Sequence, residues 1–226
     1  MKEPDYEKLH NSPLFASLAT DELKEFVKNS GAYCREYARG GVIIREGEST
    51  DRMGVLVSGR CTGESVSEDG RRESVAHIEP GEVFGDILAM DKDAKSPVTV
   101  YADTESIVLF IPFANMLSGA CSVNARFLAN LLGIVSQKYF ALQFRASCIS
   151  KPTLRGKISA YLHGMRREKG GAKFTVPLDR AELADFLNCD RSALCRELSA
   201  MRAEGLIDYR KNRFEILSSL NTEGKL

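Results

Sequence analysis

The chain has 226 residues, 43% of them hydrophobic and 27% charged, which fits a folded globular protein of one or two domains and excludes a disordered one. No stretch approaches the ~20 uncharged apolar residues that a membrane span needs, and the first 21 residues contain no continuous apolar core of a secretory signal. The formal net charge of zero conceals a division. Residues 1–150 hold 16 basic and 21 acidic side chains, whereas residues 151–217 hold 14 basic and 9 acidic, so the C-terminal part is a candidate for a polyanionic partner.

In chain order, Thr20 is a plausible N-cap for a short helix in which Leu23, Phe26 and Val27 share a face. From residue 32 to 113 the texture becomes that of strands. Val42-Ile43-Ile44, Gly54-Val55-Leu56-Val57, Ser74-Val75-Ala76-His77-Ile78, Val98-Thr99-Val100-Tyr101 and Ser106-Ile107-Val108-Leu109-Phe110 alternate with glycine turns, and Asp69-Gly70 marks a hairpin. That spacing predicts an all-β barrel or sandwich. Glycines then nearly vanish. Leu128, Leu132, Val135, Tyr139, Leu142, Ala146 and Ile149 step by fours and threes, the heptad seam of a long helix that packs on a partner helix. Pro152 ends it, because proline disfavours helical backbone in the preceding residue. The expected domains are residues 1–121, a helix over 122–150 and residues 151–226, the last six polar and frayed.

The most informative stretch runs from Leu178 to Leu198. Asp179 caps a helix with Glu182 completing a capping box, and Leu183, Phe186 and Leu187 form its buried face. Asn188 tolerates the left-handed backbone of a tight turn, and Asp190 caps a second helix buried through Leu194, Leu198 and Met201. Its other face carries Arg191, Ser192, Cys195 and Arg196. Two short helices so joined make a helix-turn-helix, whose second member lies in the major groove of double-stranded DNA. An arginine fork there bonds guanine O6 and N7 together, or clamps phosphate. A basic hairpin follows, and Lys211 and Arg213 at its tip, with Arg180 at the start of the first helix, are phosphate candidates.

The chain resembles the Crp/Fnr family of bacterial transcription regulators. The resemblance rests on Ile44-Arg45-Glu46-Gly47-Glu48, Val55-Leu56-Val57-Ser58-Gly59 and Pro80-Gly81-Glu82-Val83-Phe84-Gly85-Asp86 in the first part. In the second it rests on Leu178-Asp179-Arg180-Ala181-Glu182-Leu183-Ala184 and residues 190–198. It implies an α+β protein: an N-terminal β-roll of the cyclic-nucleotide-binding type (a jelly roll), a long dimerisation helix and a winged helix-turn-helix. It further implies a cytoplasmic homodimer that binds a near-palindromic operator, recruits or blocks RNA polymerase, and is controlled by a small-molecule effector.

The effector region departs from the members that bind cyclic AMP. Those carry Gly-Glu after the Phe-Gly turn and an Arg-Ser pair about ten residues on, the arginine pairing with the cyclic phosphate. Here Phe84-Gly85 is followed by Asp86, and the arginine column falls on Ser96 or Lys95, with Pro97 next. A small organic effector other than cyclic AMP is therefore expected, met by Gly85, Asp86, Lys95 and Ser96 with Gln137 or Lys138 of the long helix. Beyond such an effector, the residues identify no particular cofactor. Six cysteines (Cys34, Cys61, Cys121, Cys148, Cys189, Cys195) in no CxxC pair read as reduced thiols, too dispersed for an iron–sulfur cluster. His10, His77 and His163 share no metal-ligand spacing with one another or with them. Redox control through Cys195, regulation without a ligand, and a cyclic-nucleotide-binding signalling module without DNA remain alternatives. No Walker loop, nucleophile elbow or metal cluster is present to support an enzyme.

Overall fold

A computed structural model describes residues 4–67, 69–91, 93–116 and 123–218. Cys121, the boundary between residues 121 and 122, and the last six residues lie outside them. The chain divides into two compact units, residues 1–137 and 138–226.

The first unit begins with α1 (Tyr6–Leu9) and α2 (Thr20–Ser30). Eight strands follow: β1 (Tyr33–Tyr37), β2 (Val42–Ile44), β3 (Arg52–Ser58), β4 (Cys61–Val66), β5 (Arg72–Ile78), β6 (Val83–Phe84), β7 (Thr99–Ala102) and β8 (Ser106–Pro112). The helix α3 (Asp86–Met90) lies between β6 and β7, and α4 (Phe113–Met116) follows β8. α5 (Val123–Ile149) starts in this unit and ends in the second. The strands form two antiparallel four-stranded sheets, ordered β1-β8-β3-β6 and β2-β7-β4-β5.

The apolar runs of β3 and β8 are continuous because both faces of their sheet are covered. Leu56, Val108, Phe110 and Phe84 meet Ile44, Cys61, Ile78 and Val100 of the other sheet. The alternate residues Met53, Val55, Val57, Leu109 and Ile111 pack under Leu9, Phe15, Leu23, Phe26, Phe127 and Leu131 of the helices and their connections. Phe26 stacks on Phe127 at 4.5 Å between centroids. Thr20 is not the cap of α2: Ala19 takes that place, and Glu22 Oε2 accepts from the Ala19 N–H at 2.8 Å. Without a side-chain oxygen at the cap, the carboxylate at the third helical position satisfies the free donor.

Along α5, Leu128 and Val135 are half-buried against the first unit's core, but Leu132, Tyr139, Leu142 and Ile149 are exposed. None of the described helices is long and apolar enough to cross a membrane.

The second unit adds α6 (Leu154–Lys169), β9 (Lys173–Thr175), α7 (Arg180–Phe186), α8 (Arg191–Ala203), β10 (Ile207–Arg210) and β11 (Arg213–Ile216), with a three-stranded antiparallel sheet ordered β10-β11-β9. Its core joins Ile158, Tyr161 and Leu162 of α6, Leu183 and Ala184 of α7, Leu194, Leu198 and Met201 of α8, and Phe214 and Ile216 of β11. Cys148, in the last turn of α5, is fully buried in the same core. The Phe144 ring of α5 stacks on Tyr161 at 6.0 Å and occupies space that only a glycine at 164 leaves open; a Cβ there would collide with Phe144 Cε2.

Candidate nucleic-acid interface

Two aspartates set the starts of α7 and α8. Asp179 Oδ1 accepts from the N–H groups of Ala181 and Glu182 at 2.7 and 2.9 Å, and Glu182 Oε2 accepts from the Asp179 N–H at 2.7 Å. Asp190 Oδ1 accepts from the N–H groups of Ser192 and Ala193 at 2.8 and 3.0 Å and from the Ser192 hydroxyl at 2.5 Å. These donors hold both carboxyls below the ordinary aspartate value: backbone N–H groups foremost at Asp179, the Ser192 hydroxyl foremost at Asp190. Between the helices Asn188 takes a left-handed φ of 48°, as its residue type predicts, and Cys189 N–H reaches Ala184 O at 3.0 Å.

Three cations hold this pair of helices from behind, and none was apparent in the sequence. Arg145 of α5 donates to the carbonyls of Asp185 and Phe186, both at 3.2 Å. Lys157 of α6 donates to the carbonyls of Leu187 and Asn188 at 3.1 and 3.3 Å. Arg155 bonds Glu197 at 2.6 Å and grips Glu204 through two 2.7 Å bonds, which lowers the Glu204 carboxyl below its ordinary value. The four bonds of Arg145 and Lys157 end on main-chain carbonyls, so nothing in residue type marks them.

With Leu194, Leu198 and Met201 fully buried, the opposite face of α8 exposes Arg191, Ser192, Cys195 and Arg196. These four residues, separate by type, form one surface. The Ser192 hydroxyl is engaged by Asp190, which leaves Arg191, Cys195 and Arg196 as the side chains that project freely from the cap. β10 and β11 form a hairpin with Lys211 at its tip in a left-handed φ of 53°, and Arg210, Lys211 and Arg213 are exposed there. Arg180 sits differently from the expectation of a solvent-facing phosphate contact. Its Nη2 donates to Lys211 O at 2.7 Å, its guanidinium lies 5.2 and 5.0 Å from the ring centres of Tyr209 and Phe214, and its Nη1 is buried. It fastens the hairpin tip to the start of α7.

The residues of the first unit expected to meet an effector lie in separate local settings. Gly85 has a left-handed φ of 66° and leads into α3, where Asp86 is buried. Ser96 is buried and occupied locally: its hydroxyl donates to Val98 O at 2.6 Å, its N–H donates to Glu48 O at 2.9 Å, and its carbonyl accepts from the Gly47 N–H at 2.8 Å. Lys95 is exposed. Gln137 and Lys138 are consecutive on α5, the first exposed and the second half-buried. Burial pushes the thiols of Cys61, Cys148 and Cys189 up, away from the reactive thiolate form. His77 Nδ1 lies 3.3 Å from the Thr62 hydroxyl, and among the described residues no three His, Cys, Asp or Glu side chains cluster as metal ligands do.

Comparison with known proteins agrees with this geometry. The cyclic nucleotide-binding domain family matches residues 34–119, and the Crp-like helix-turn-helix domain family matches residues 156–219. The transcriptional activator protein FnrL of Cereibacter sphaeroides is 26% identical over 199 residues, 82% of this chain and 77% of that protein. The cyclic AMP receptor protein of Thermus thermophilus is 24% identical over 200 residues, 88% of this chain and 89% of that protein. Among solved structures, the c-di-GMP responsive global regulator CLP of Xanthomonas campestris matches with a TM-score of 0.54 at 18% identity, over 87% of this chain and 98% of that one, a likeness of fold. The chain belongs to the Crp/Fnr family of DNA-binding transcription regulators.

Proposed function

We propose that the protein is a cytoplasmic homodimer that reads a near-palindromic operator in double-stranded DNA, recruits or blocks RNA polymerase there, and is controlled by a small-molecule effector other than cyclic AMP. The observation that carries this reading is the stripe on α5. Leu132, Tyr139 and Leu142 are 68%, 56% and 65% exposed at heptad positions, where water contact is unfavourable and a second α5 buries them. Two chains joined along such a seam present two copies of α8, and the two-fold relation matches half-sites about one helical turn apart. Arg191 and Arg196 then read bases with Cys195 beside them, Ser192 sets the start of α8, and Lys211 and Arg213 lie on phosphate. Arg180 acts through the hairpin it holds.

An effector other than cyclic AMP is supported by the Ser96 position, where a buried hydroxyl already bonded to Val98 stands in the place of a guanidinium fork. Analytical ultracentrifugation together with a mobility-shift assay on the gene's own upstream region tests the reading. A dimer, a shift that weakens steeply with salt, and a melting temperature indifferent to cyclic AMP are expected. A monomer under all conditions, or equal affinity for unrelated DNA, overturns it.

A further inference from the structure

The Gly85–Ser96 side of the β-roll lacks an arginine, yet two arginines meet elsewhere in the same domain. A cavity of about 480 Å³ opens where the edge strands β1 and β2 flank the space between the sheets. That volume falls within the ~300–1,000 Å³ of small-molecule sites. One wall is aromatic, with Tyr33 and Tyr37 standing 5.6 and 6.4 Å from Phe110 between ring centres and Phe110 5% exposed, and the opposite rim is polar through Glu48, Ser49, Thr50 and Asp51. The period-two alternation of β1 puts Arg35 on the same face as the two tyrosines, with its guanidinium 5.1 Å from the Tyr37 ring centre. Arg52 enters from β3, 5.9 Å from the Tyr33 ring centre and hydrogen-bonded to the Tyr33 hydroxyl.

The cavity's lining carries two guanidiniums, Arg35 and Arg52, and two carboxylates, Glu48 and Asp51. Asp51 pairs with Arg52 at 2.8 Å, and Glu48 faces Arg45 at 3.9 Å. Among the described residues no carboxylate pairs with Arg35. With Asp51 held by Arg52, Arg35 is the lining guanidinium that no described carboxylate occupies, which suits a single carboxylate group, and the two rim carboxylates disfavour a doubly charged phosphate. The rim is also tied to the effector segments. A Cβ on Gly85 would lie 3.3 Å from Ile44 and 3.9 Å from Thr50, and Glu48 O accepts from the Ser96 N–H.

We infer that the mouth of the β-roll binds a small aromatic carboxylate, its carboxylate on the Arg35 fork and its ring against Tyr33, Tyr37 and Phe110. The inference names the effector class and rests on the reading that a small molecule controls this regulator. Calorimetric titration and thermal shift of the full chain, with benzoate and phenylacetate as probes and acetate and cyclic AMP as comparators, test it. Saturable binding of an aryl carboxylate with Kd below about 1 mM is expected, with acetate at least about tenfold weaker for want of the ring. Arg35→Gln is expected to weaken binding about tenfold or more, and Arg35→Lys to restore little of it because an ammonium offers no fork. Arg35 is exposed, so both variants keep the melting temperature of the ligand-free protein. No saturable binding of either aryl acid, or binding that Arg35→Gln leaves intact, overturns the site. Bound aryl acid that leaves operator affinity unchanged overturns the effector premise and leaves the site standing.

Discussion

At the start of α8 the side chains divide by what the main chain already asks of them. Asp190 accepts the free N–H donors of the first turn and the Ser192 hydroxyl braces its carboxylate, whereas Arg191, Cys195 and Arg196 have no such duty and face outward. Replacing Arg196 by alanine is expected to cost about 1–3 kcal/mol on the operator and to relax preference at one base pair. Equal loss on operator and random DNA, measured by competition binding, would reduce Arg196 to a phosphate contact. Asp190 carries a pH signature. Its folded carboxyl titrates below the ordinary 3.8, so its contribution to stability is complete above that value and is lost as pH falls through the lower folded one. The Asp190→Ala variant is expected to melt lower at neutral pH and to show a shallower decline in melting temperature on acidification below about pH 4 than the parent protein. Both aspartate caps and Asn188 were legible from residue type and spacing alone, because capping and left-handed turns are local chemistry. Arg180 was not: a cation in the first turn of a helix reads as a phosphate contact, and only the pairing of β10 with β11 brings Tyr209 and Phe214 under its guanidinium.

Strands with both faces covered announced themselves as apolar runs, as β3 and β8 did. β1 and β4 were missed, since Tyr33-Cys34-Arg35-Glu36-Tyr37 and the Gly63-Glu64 pair carry too much polarity to read as strand interior. The long helix was legible through its heptads, and its exposed stripe supports a direct test. Leu142→Glu introduces a charge into each half of the seam and is expected to move the protein from dimer to monomer in sedimentation, at a loss of about 3 kcal/mol or more from two leucines. The melting of an isolated chain is expected to be little changed, because Leu142 is 65% exposed. Gly164→Ala tests the other end of α5: the added methyl meets the Phe144 ring, and a loss of about 1–3 kcal/mol in urea unfolding is expected. A gain would show that Phe144 repacks freely, since alanine favours helix.

Each of the two compact units carries an apolar core of its own, Leu56 and Val108 lying in the core of the first and Leu198 and Met201 in that of the second. Scanning calorimetry is therefore expected to resolve two transitions, with Leu56→Ala lowering one and Leu198→Ala lowering the other, by about 2–5 kcal/mol each. A single transition lowered equally by both would show one cooperative body. The arginines of the cavity lay hidden at this scale for a topological reason. Arg35 and Arg52 stand on β1 and β3, which meet only through β8 between them, and no local pattern encodes that adjacency.

Arg145 and Lys157 fasten the turn between α7 and α8 by carbonyl oxygens, a feature that every amino acid shares. The framework is thus indifferent to which residues occupy the outward positions it supports. Under the proposed reading of DNA by α8, exchange of Arg191, Cys195 and Arg196 is expected to retarget the regulator like a cartridge in a fixed holder, and natural drift would follow a changing promoter by the same freedom.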